Sequence, residues 1–290
     1  MNNNIFIKEN DLIIFDDKHK LFCGDCTKEE SYLFMNNEIA TMCFTSPPYN
    51  MGFGNYGKNK CEAKKYLNKN DDKKENYDYF NLINDSLNNS LKKSEYVFYN
   101  IQHVSGNKIS LIDWLYTNKE KYVDTIIWKK TTTMPLIEPN VLNSDFEYIY
   151  IYTNIKNNGK HIRIGQDFRG TISNVLECNR NTKNKYAKIH SALMPIELCY
   201  KIINTFTLEN DIVLDCFSGL GTNLISCKLN NRIYRGIELS PLYCQETIKR
   251  YLEYDLGERN IKILRDNKII EFKDFKEYIL NGKIDIFDFI

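Results

Sequence analysis

Residues 213–222 have the sequence Val-Leu-Asp-Cys-Phe-Ser-Gly-Leu-Gly-Thr, an apolar run that leads into two closely spaced glycines. The apolar run predicts a buried strand from Asp211 to Cys216, and a helix is expected after the second glycine. Gly219 and Gly221 permit a tight turn and a close approach of the backbone to a ligand. A strand, a glycine turn and a helix in this order predict an α/β unit whose ligand lies at the carboxyl end of the strand.

The residues around this turn exclude two common phosphate-binding motifs. A dinucleotide-binding G-x-G-x-x-G motif needs a third glycine, but that position is Leu224, and no G-x-x-x-x-G-K-[ST] occurs in the chain. The next predicted strand, Arg232 to Ile237, ends on Glu238. A carboxylate there, about 20 residues after the turn, can accept two hydrogen bonds from a ribose. The alternative for Glu238 is an exposed acid at the end of a strand.

A second unusual stretch, Thr45 to Asn50, has the sequence Thr-Ser-Pro-Pro-Tyr-Asn and follows the apolar run Ala40 to Phe44. Its two prolines fix φ and remove two backbone N–H donors, so the chain beyond the strand is stiff and cannot continue a ladder. Carbonyl oxygens then point outward between the Ser46 hydroxyl and the Tyr49 ring. These groups suit a planar ligand that carries an amine. The alternative is a Pro-Pro turn with a packing tyrosine.

The remaining pattern alternates between strands and helices, which predicts an α/β domain with a mainly parallel sheet. Further strands are expected at 20–25, 95–100, 123–128 and 147–153, and helices at 27–36, 81–93, 109–116, 195–206 and 243–254. We expect the strand at 147–153 to pair antiparallel with the preceding one at an edge of the sheet. Polar groups follow three strands, at Asp25, at Ser46 to Tyr49, and at Asp215 to Thr222 with Glu238, so they should meet at one edge.

Bulk composition limits the possible classes of function. The net charge of +1 over 290 residues gives no global electrostatic argument for nucleic-acid binding, so any such argument must be local. The chain has no apolar run long enough to span a membrane and starts with polar residues, which predicts a cytoplasmic protein without membrane partners. Its nine cysteines are then expected to be reduced thiols, and we expect no metal site.

Two segments are locally basic. Within the predicted loop Met51 to Tyr79, the residues from Lys58 to Lys74 include seven lysines and three acids, a composition also typical of a solvated loop. The segment Ile155 to Lys188 lacks periodicity and holds eight Lys and Arg residues against two acids. A structureless segment of that length inside a compact domain is usually functional or disordered.

Taken together, these motifs resemble those of DNA amino-methyltransferases, enzymes that methylate the exocyclic nitrogen of cytosine or adenine. Ser46 to Tyr49 is similar to the family's catalytic Ser-Pro-Pro-Tyr motif, and Phe217 to Gly221 is similar to its S-adenosylmethionine motif. The catalytic motif precedes the glycine turn, as in the β group of restriction-modification type. The resemblance covers roughly Lys20 to Tyr254. It implies a class I, Rossmann-like fold with a mostly parallel seven-stranded sheet, one antiparallel strand and a circularly permuted motif order.

By that resemblance the chain divides into a catalytic domain with two parts, 1–154 and 189–260, a target-recognition insert at 155–188, and a tail at 261–290 without an assigned role. The catalytic residues implied are Ser46, Pro47, Pro48 and Tyr49. The cofactor-binding residues implied are Asp25, Cys26, His190, Ser191, Asp215, Phe217, Ser218, Gly219, Gly221, Thr222, Asn223, Glu238 and Leu239. The DNA-binding residues expected are Lys58, Lys60, Lys156, Lys160, Arg163 and Arg169.

The resemblance also assigns roles. Asp25 would contact the cofactor adenine, Asp215 the methionine amine and Glu238 the ribose. His190 would flank the methionine end, although Ser191 replaces a proline of the family pattern, and a surface histidine is the alternative. Trp128 to Lys130 and Glu147-Tyr148 match later strands of the family without a stated role. Double-stranded DNA is the implied partner, together with a cognate restriction endonuclease, and the chain would act as a monomer or a homodimer.

The implied reaction is direct methyl transfer to a base flipped out of the duplex. Ser46 and the Pro47 carbonyl would accept the amine N–H bonds, and Tyr49 would stack on the base. Ser-Pro-Pro-Tyr favours cytosine N4, with adenine N6 as the alternative. No proline is followed by cysteine, which argues against a cytosine-C5 enzyme. A DNA-binding regulator that keeps the fold without catalysis is the alternative from a different class, disfavoured because each key position retains a competent residue.

Overall fold

The computed structural model describes residues 5–51, 74–131, 139–156, 159–162, 171–179, 186, 193–254 and 260–281. Its strands are β1 Leu12–Phe15, β2 His19–Cys23, β3 Ala40–Thr45, β4 Ser94–Ile101, β5 Tyr122–Lys130, β6 Phe146–Thr153, β7 Val175–Cys178, β8 Ile212–Asp215, β9 Ile233–Glu238, β10 Ile261–Arg265 and β11 Lys268–Glu271. Its α-helices are α1 Asn76–Lys93, α2 Lys108–Thr117, α3 Ile196–Phe206, α4 Thr222–Leu229, α5 Pro241–Glu253 and α6 Phe272–Asn281, and Glu29–Met35 forms a 3₁₀ helix.

These strands form one sheet in the order β11-β10-β1-β2-β9-β8-β3-β4-β6-β5-β7. Within it, β2, β9, β8, β3, β4 and β5 run in the same direction, and β6 runs antiparallel between β4 and β5. This central part confirms the predicted mostly parallel seven-stranded sheet with one antiparallel strand. Among the described residues the sheet is wider than predicted, because β1, β10 and β11 extend one side and β7 extends the other.

The prediction that the strand at 147–153 lies at an edge is wrong. Strand β6 pairs with β5 as expected, but it also pairs with β4 on its other side. Four consecutive residues, Ile149 to Tyr152, are each at most 7% exposed. A strand with both faces buried belongs inside a covered sheet, and its alternating Ile and Tyr pattern conceals this because the tyrosine rings are buried as well.

Three local predictions need correction, and the tail, which had no assigned role, adds a strand to the sheet. The segment 155–188 is not structureless throughout, since Val175–Cys178 forms β7 and pairs parallel with β5. The expected helix at 27–36 is a 3₁₀ helix, and the helix expected from residue 81 already begins at Asn76. The tail contributes β10, which pairs antiparallel with β1. Short strands and a polar first helical turn carry little hydrophobic periodicity, so the sequence pattern does not reveal them.

Two hydrophobic layers cover the sheet, one on each face. Successive side chains of β4 point into opposite layers, as the two-residue period of a strand requires. The Phe98 ring packs on Phe206 of α3 at a centroid distance of 4.8 Å, whereas the next residue, Tyr99, packs on Trp114 of α2 at 5.0 Å. The carboxyl ends of the parallel strands are thereby held in fixed positions. No helix in the described ranges is long and apolar enough to cross a membrane.

Candidate active site

The carboxyl ends of β2, β3, β8 and β9 surround a cavity of about 390 Å³. All four residues from Ser46 to Tyr49 line this cavity. From the predicted cofactor set, the wall includes Asp25, Cys26, Phe217, Gly219, Glu238 and Leu239. The predicted convergence of three strand ends at one edge is therefore present, and it places the proline turn and the glycine turn in a single cavity.

The glycine turn depends on backbone conformations that favour glycine. Gly219 and Gly221 have φ values of +54° and +69°, in the left-handed region. A Cβ atom at Gly221 would lie 2.6 Å from Thr247 Cγ2, which is closer than carbon atoms can approach without movement. Helix α4 begins directly afterwards, at Thr222. This close packing explains why the second position of the Gly-x-Gly pattern excludes a side chain.

Glu238 joins the end of β9 to the glycine turn. Its Oε2 accepts the Gly219 N–H at 2.7 Å, and its Oε1 accepts the Ser240 N–H at 2.8 Å. The residue is 8% exposed and lines the cavity. Glu238 is therefore not an exposed strand-end acid, because its carboxylate is held by backbone donors at the cavity wall.

Asp215 lies behind the turn and is not among the residues that line the cavity. It is 1% exposed, and its Oδ1 accepts the Thr45 hydroxyl at 2.7 Å and the Phe217 N–H at 3.2 Å, while its Oδ2 accepts Asn223 Nδ2 at 2.9 Å. Burial raises the pKa of this carboxyl from 3.8 to about 7. Both carboxylate oxygens of Asp215 therefore face protein donors, and its predicted contact with a methionine amine stays a prediction. Asp215 connects the glycine turn to β3.

Other predicted cofactor residues also support the turn from behind. The Ser218 hydroxyl accepts a hydrogen bond from Tyr234 at 2.7 Å, and the Thr222 hydroxyl accepts one from Arg250 at 2.9 Å. Neither side chain lines the cavity, and neither does Asn223, which is fully buried. His190 and Ser191 lie outside the described residues.

At the opposite wall, Asp25 and Cys26 follow β2. The Asp25 Oδ1 accepts both the backbone N–H of Thr27, at 2.9 Å, and its hydroxyl, at 2.7 Å, which closes a tight local turn. Burial raises the pKa of the Cys26 thiol well above its usual range. Cys26 is therefore a neutral wall residue at physiological pH and is not activated as a nucleophile.

The side chains of the proline turn belong to a buried hydrogen-bond network. The Tyr49 hydroxyl donates to Glu147 Oε2 at 2.6 Å and lies 3.2 Å from Ser46 Oγ. Asn100 Nδ2 donates to the Tyr49 oxygen at 2.7 Å. Lys130 Nζ lies 3.0 Å from Glu147 Oε1, and the two side chains are only 2% and 10% exposed. An ion pair between the ends of β5 and β6 thus holds the tyrosine of the turn.

Backbone groups of the same turn are also held in place. Asn107 Nδ2 donates to the Tyr49 carbonyl, and the Tyr79 hydroxyl donates to the Pro48 carbonyl, both at 2.8 Å. Asn50 has a φ of +56° and donates from Nδ2 to the Gly106 carbonyl at 2.8 Å. The turn is therefore a rigid element that presents Ser46 and Pro47 to the cavity.

Comparison with known proteins identifies the family. A model of the family described as DNA methylase matches residues 40–249, which contain both turns. The chain belongs to the DNA methylase family. The resemblance predicted from Ser46 to Tyr49 and from Phe217 to Gly221 is confirmed.

The matches of this DNA methylase to individual relatives cover different shares of the two chains. The type II methyltransferase M.Cfr9I of Citrobacter freundii is 31% identical over 128 residues, which span 43% of this chain and 42% of that protein. The chain thus matches less than half the length of that relative. Among solved structures, the cytosine-N4-specific PvuII DNA methyltransferase has a TM-score of 0.58 at 17% identity, over 92% of this chain and 94% of that one. The M1.HpyAVI-SAM complex has a TM-score of 0.51 at 24% identity, over 79% and 98%.

Several cavity residues of this DNA methylase were not predicted from the sequence. Asp78, Asn81 and Asp85 line the cavity from one face of α1. Their spacing of three and four residues is the helical signal that could have identified them. Lys130 and Glu147 matched the family pattern, but nothing in the sequence pointed to the Tyr49 hydroxyl as the group they hold.

The predicted DNA-binding residues that the structure describes lie away from the cavity. Lys156 is exposed, and Lys160 forms an ion pair with Asp124 at 3.2 Å. Asp124 precedes Lys130 by six residues on β5, which corresponds to roughly 20 Å along a strand. Lys156 and Lys160 therefore lie toward the amino ends of the parallel strands, opposite the catalytic motif. Lys58, Lys60, Arg163 and Arg169 lie outside the described residues.

Proposed function

We propose that this chain is an S-adenosylmethionine-dependent DNA methyltransferase that methylates the exocyclic amine of a flipped base, with cytosine N4 as the favoured target. The observation that carries the proposal is the shared cavity of the proline and glycine turns. The bond from the Thr45 hydroxyl to Asp215, at 2.7 Å, ties the two turns together. An amine acceptor and a methyl donor that must react with each other need such a common cavity.

The cavity residues fit S-adenosylmethionine. The carboxylates of Asp25 and Glu238 lie on the wall and are suited to the adenine and ribose ends, and the half-buried Phe217 offers a ring for stacking. Gly219 lines the cavity without a side chain, which suits a close approach of the rest of the cofactor to the backbone. When bound, S-adenosylmethionine supplies a methyl group on a sulfonium, which is already a good methyl donor. The task of the protein is then mainly to hold the target nitrogen in line with that methyl group.

Ser46 and the Pro47 carbonyl are the proposed acceptors for the target amine. Both residues line the cavity on a turn whose neighbours Pro48 and Tyr49 are held through their carbonyl oxygens. The Tyr49 ring is 8% exposed, and we propose that its cavity-facing side contacts the flipped base. The reaction requires no covalent intermediate with the enzyme, because the amine nitrogen itself is the nucleophile.

Double-stranded DNA is the proposed substrate, since a paired amine must leave the duplex stack before it can enter the cavity. We place the DNA at the carboxyl edge of the sheet and not beside Lys156 and Lys160, which lie toward the other end. A restriction endonuclease with the same recognition site is the proposed partner. The serine of the catalytic motif favours cytosine, and adenine N6 is the second candidate.

The decisive experiment is a methylation assay with mass spectrometry. The purified protein is incubated with labelled S-adenosylmethionine and unmethylated genomic DNA, which is then digested to nucleosides. We expect label in N4-methylcytosine and much less of it with Ser46→Ala, whose residual rate is measured with enzyme in excess. Label in N6-methyladenine would select the second candidate, and DNA binding without any labelled nucleoside would identify a non-catalytic regulator. Methylation-aware sequencing of the same DNA maps the methylated site and gives the sequence of the duplex needed for single-turnover assays.

A further inference from the structure

The network around Tyr49 has a defined direction of hydrogen bonding. The Glu147 carboxylate, paired with Lys130, can only accept hydrogen bonds, so the Tyr49 hydroxyl donates to it at 2.6 Å. The oxygen of Tyr49 must then act as acceptor toward its remaining partners. Asn100 Nδ2 at 2.7 Å and Ser46 Oγ at 3.2 Å are two such partners.

This direction determines what Ser46 offers to the cavity. Because Tyr49 has already given its only hydroxyl hydrogen to Glu147, Ser46 is the donor in the Ser46–Tyr49 bond. Asn100 Nδ2 lies 3.3 Å from Ser46 Oγ and donates to the same oxygen. Ser46 Oγ therefore keeps at least one lone pair available, and it presents an acceptor and no hydrogen to a ligand.

We propose that Ser46, Tyr49 and Glu147 form a proton relay that fixes Ser46 as the acceptor of the target amine and removes the proton that the methylated nitrogen must lose. This inference rests on the proposed function and adds the route of the proton to it. Ser46 is the catalytic residue of the relay, while Tyr49 acts through its hydroxyl and Glu147 is a positioning residue and the final proton acceptor.

The proposed step balances in atoms and electrons. The lone pair of the exocyclic nitrogen forms the new N–C bond while the S–C bond of the sulfonium breaks and leaves a neutral thioether. The nitrogen, now positively charged, gives one proton to Ser46 Oγ. The Ser46 hydrogen moves to the Tyr49 oxygen and the Tyr49 hydrogen moves to Glu147 Oε2. Loss of that proton from Glu147 to solvent restores the relay.

A motif that begins with serine needs such a relay more than a motif that begins with an acidic residue. A serine hydroxyl is a weak base, whereas a carboxylate is a competent proton acceptor at neutral pH. The 2% exposed Lys130 compensates the charge of Glu147 in its buried position. Asn100 is fully buried, and its Nδ2, which has two hydrogens, lies within hydrogen-bond distance of all three oxygens of the relay, with Glu147 Oε2 at 3.0 Å. Asn100 thereby keeps the three oxygens within hydrogen-bonding distance of one another.

The test is single-turnover methyl transfer with enzyme in excess over a duplex that contains the mapped site. Tyr49→Phe keeps the ring and removes the relay hydroxyl, and Glu147→Gln removes the final acceptor. We expect each to slow transfer by tenfold or more, since a positioned acid–base group contributes about 10²- to 10⁴-fold. The dissociation constants for cofactor and DNA should change by less than about threefold. The matched control is Glu38→Gln, a carboxylate paired with Arg235 at the other end of the sheet, which should transfer at the wild-type rate.

Double variants separate a relay from a structural role. In Ser46→Ala the relay is already cut, so adding Tyr49→Phe or Glu147→Gln should slow transfer no further. A loss that multiplies in the double variants, or a Tyr49→Phe rate within tenfold of wild type, would overturn the relay. Tyr49→Phe also decides the question if Glu147→Gln does not fold. Failure of the wild-type protein to methylate DNA would instead overturn the proposed function.

Discussion

Two buried ion pairs lie at opposite ends of the same sheet. At the amino end, Arg235 binds Glu38 through two bonds of 2.6 Å and donates a third to the Lys18 carbonyl at 2.7 Å. At the carboxyl end, Lys130 binds Glu147 through Oε1 at 3.0 Å, and Oε2 accepts Tyr49. Both pairs bury a cation, but only the second extends to the cavity.

The difference follows from the choice of cation. An arginine fork occupies both oxygens of its carboxylate, so the Arg235 pair is complete and connects β9 to Glu38, two residues before β3. A lysine ammonium is a point charge that leaves the second oxygen available for a tyrosine hydroxyl. The first pair therefore stabilises the sheet, whereas the second transmits its position to the proline turn.

The largest expected effect comes from Lys130→Met, which removes the cation and leaves the Glu147 carboxylate buried. Breaking a buried pair in this way costs about 3–5 kcal/mol, because the remaining charge has no cation to compensate it. Urea unfolding of the variant should show that loss of unfolding free energy. Single-turnover methyl transfer in the folded fraction should also slow, since Tyr49 loses a fixed acceptor.

Arg235→Met is the control for this comparison. Its partner Glu38 is 33% exposed and can be hydrated when the arginine is removed, so we expect a smaller loss of stability than for Lys130→Met. Methyl transfer in the folded fraction should stay at the wild-type rate. If Arg235→Met lost more unfolding free energy than Lys130→Met, the Glu147 carboxylate would not be the more deeply buried of the two charges.

The second prediction concerns pH and Asp215. Its pKa is about 7 in the folded protein and near 3.8 when unfolded, so between these values the folded state holds a proton that the unfolded chain has lost. Stability from this group is therefore greatest at low pH and declines as pH rises toward 7. Relative to Asp215→Asn, which does not titrate, the wild-type unfolding free energy should fall by about 2–3 kcal/mol from pH 5 to pH 8. Urea unfolding of both proteins at both pH values measures this. An equal change in unfolding free energy between pH 5 and pH 8 for the two proteins would exclude this titration.

Glu238→Gln tests the cofactor wall at the same edge. The amide keeps the shape of the side chain but loses the charge and one acceptor, which should weaken S-adenosylmethionine binding by about 1–3 kcal/mol. Isothermal titration of the folded variant measures this directly. Glu38→Gln, at the amino end, should bind the cofactor like the wild type. Equal affinity in both variants would move the ribose contact away from Glu238.

The smallest effect is expected from the basic residues at the amino ends of the parallel strands. Lys156→Ala with Lys160→Ala should leave the slope of log K against log salt for DNA binding unchanged. Lys74 lines the cavity and Lys108 begins α2 behind the proline turn, so substituting these two should lower the slope by about one unit each. The reverse result would place the DNA at the amino end.

Sequence patterns predicted the parts of this molecule that rest on local chemistry. Proline at 47 and 48 fixes the backbone, and glycine at 219 and 221 permits conformations that other residues avoid, so the two turns and their meeting at one edge were predictable. The orientation of the Asp215 side chain was harder to predict, because an acid at the end of a strand can point either into a cavity or behind a turn. The position of Lys160 depends on the direction of β6, which runs antiparallel to its neighbours and therefore ends at the amino ends of the parallel strands. The residues around Lys160 do not encode that direction. The Glu147–Tyr49 bond joins residues 98 apart and has no local signal.

The pairing of β3 with β8 also has a consequence for how the protein is made. Thr45 and Asp215 touch across 170 residues of chain, so the ribosome needs roughly 10–30 s at about 5–20 residues per second between the two. During that interval β3 has no neighbour on its β8 side, and an unpaired strand edge is prone to wrong pairing. Such long-range contacts also make folding slow. The nascent chain therefore acquires its catalytic turn early but its cavity only after β9 has emerged, and the two halves of the site become functional together.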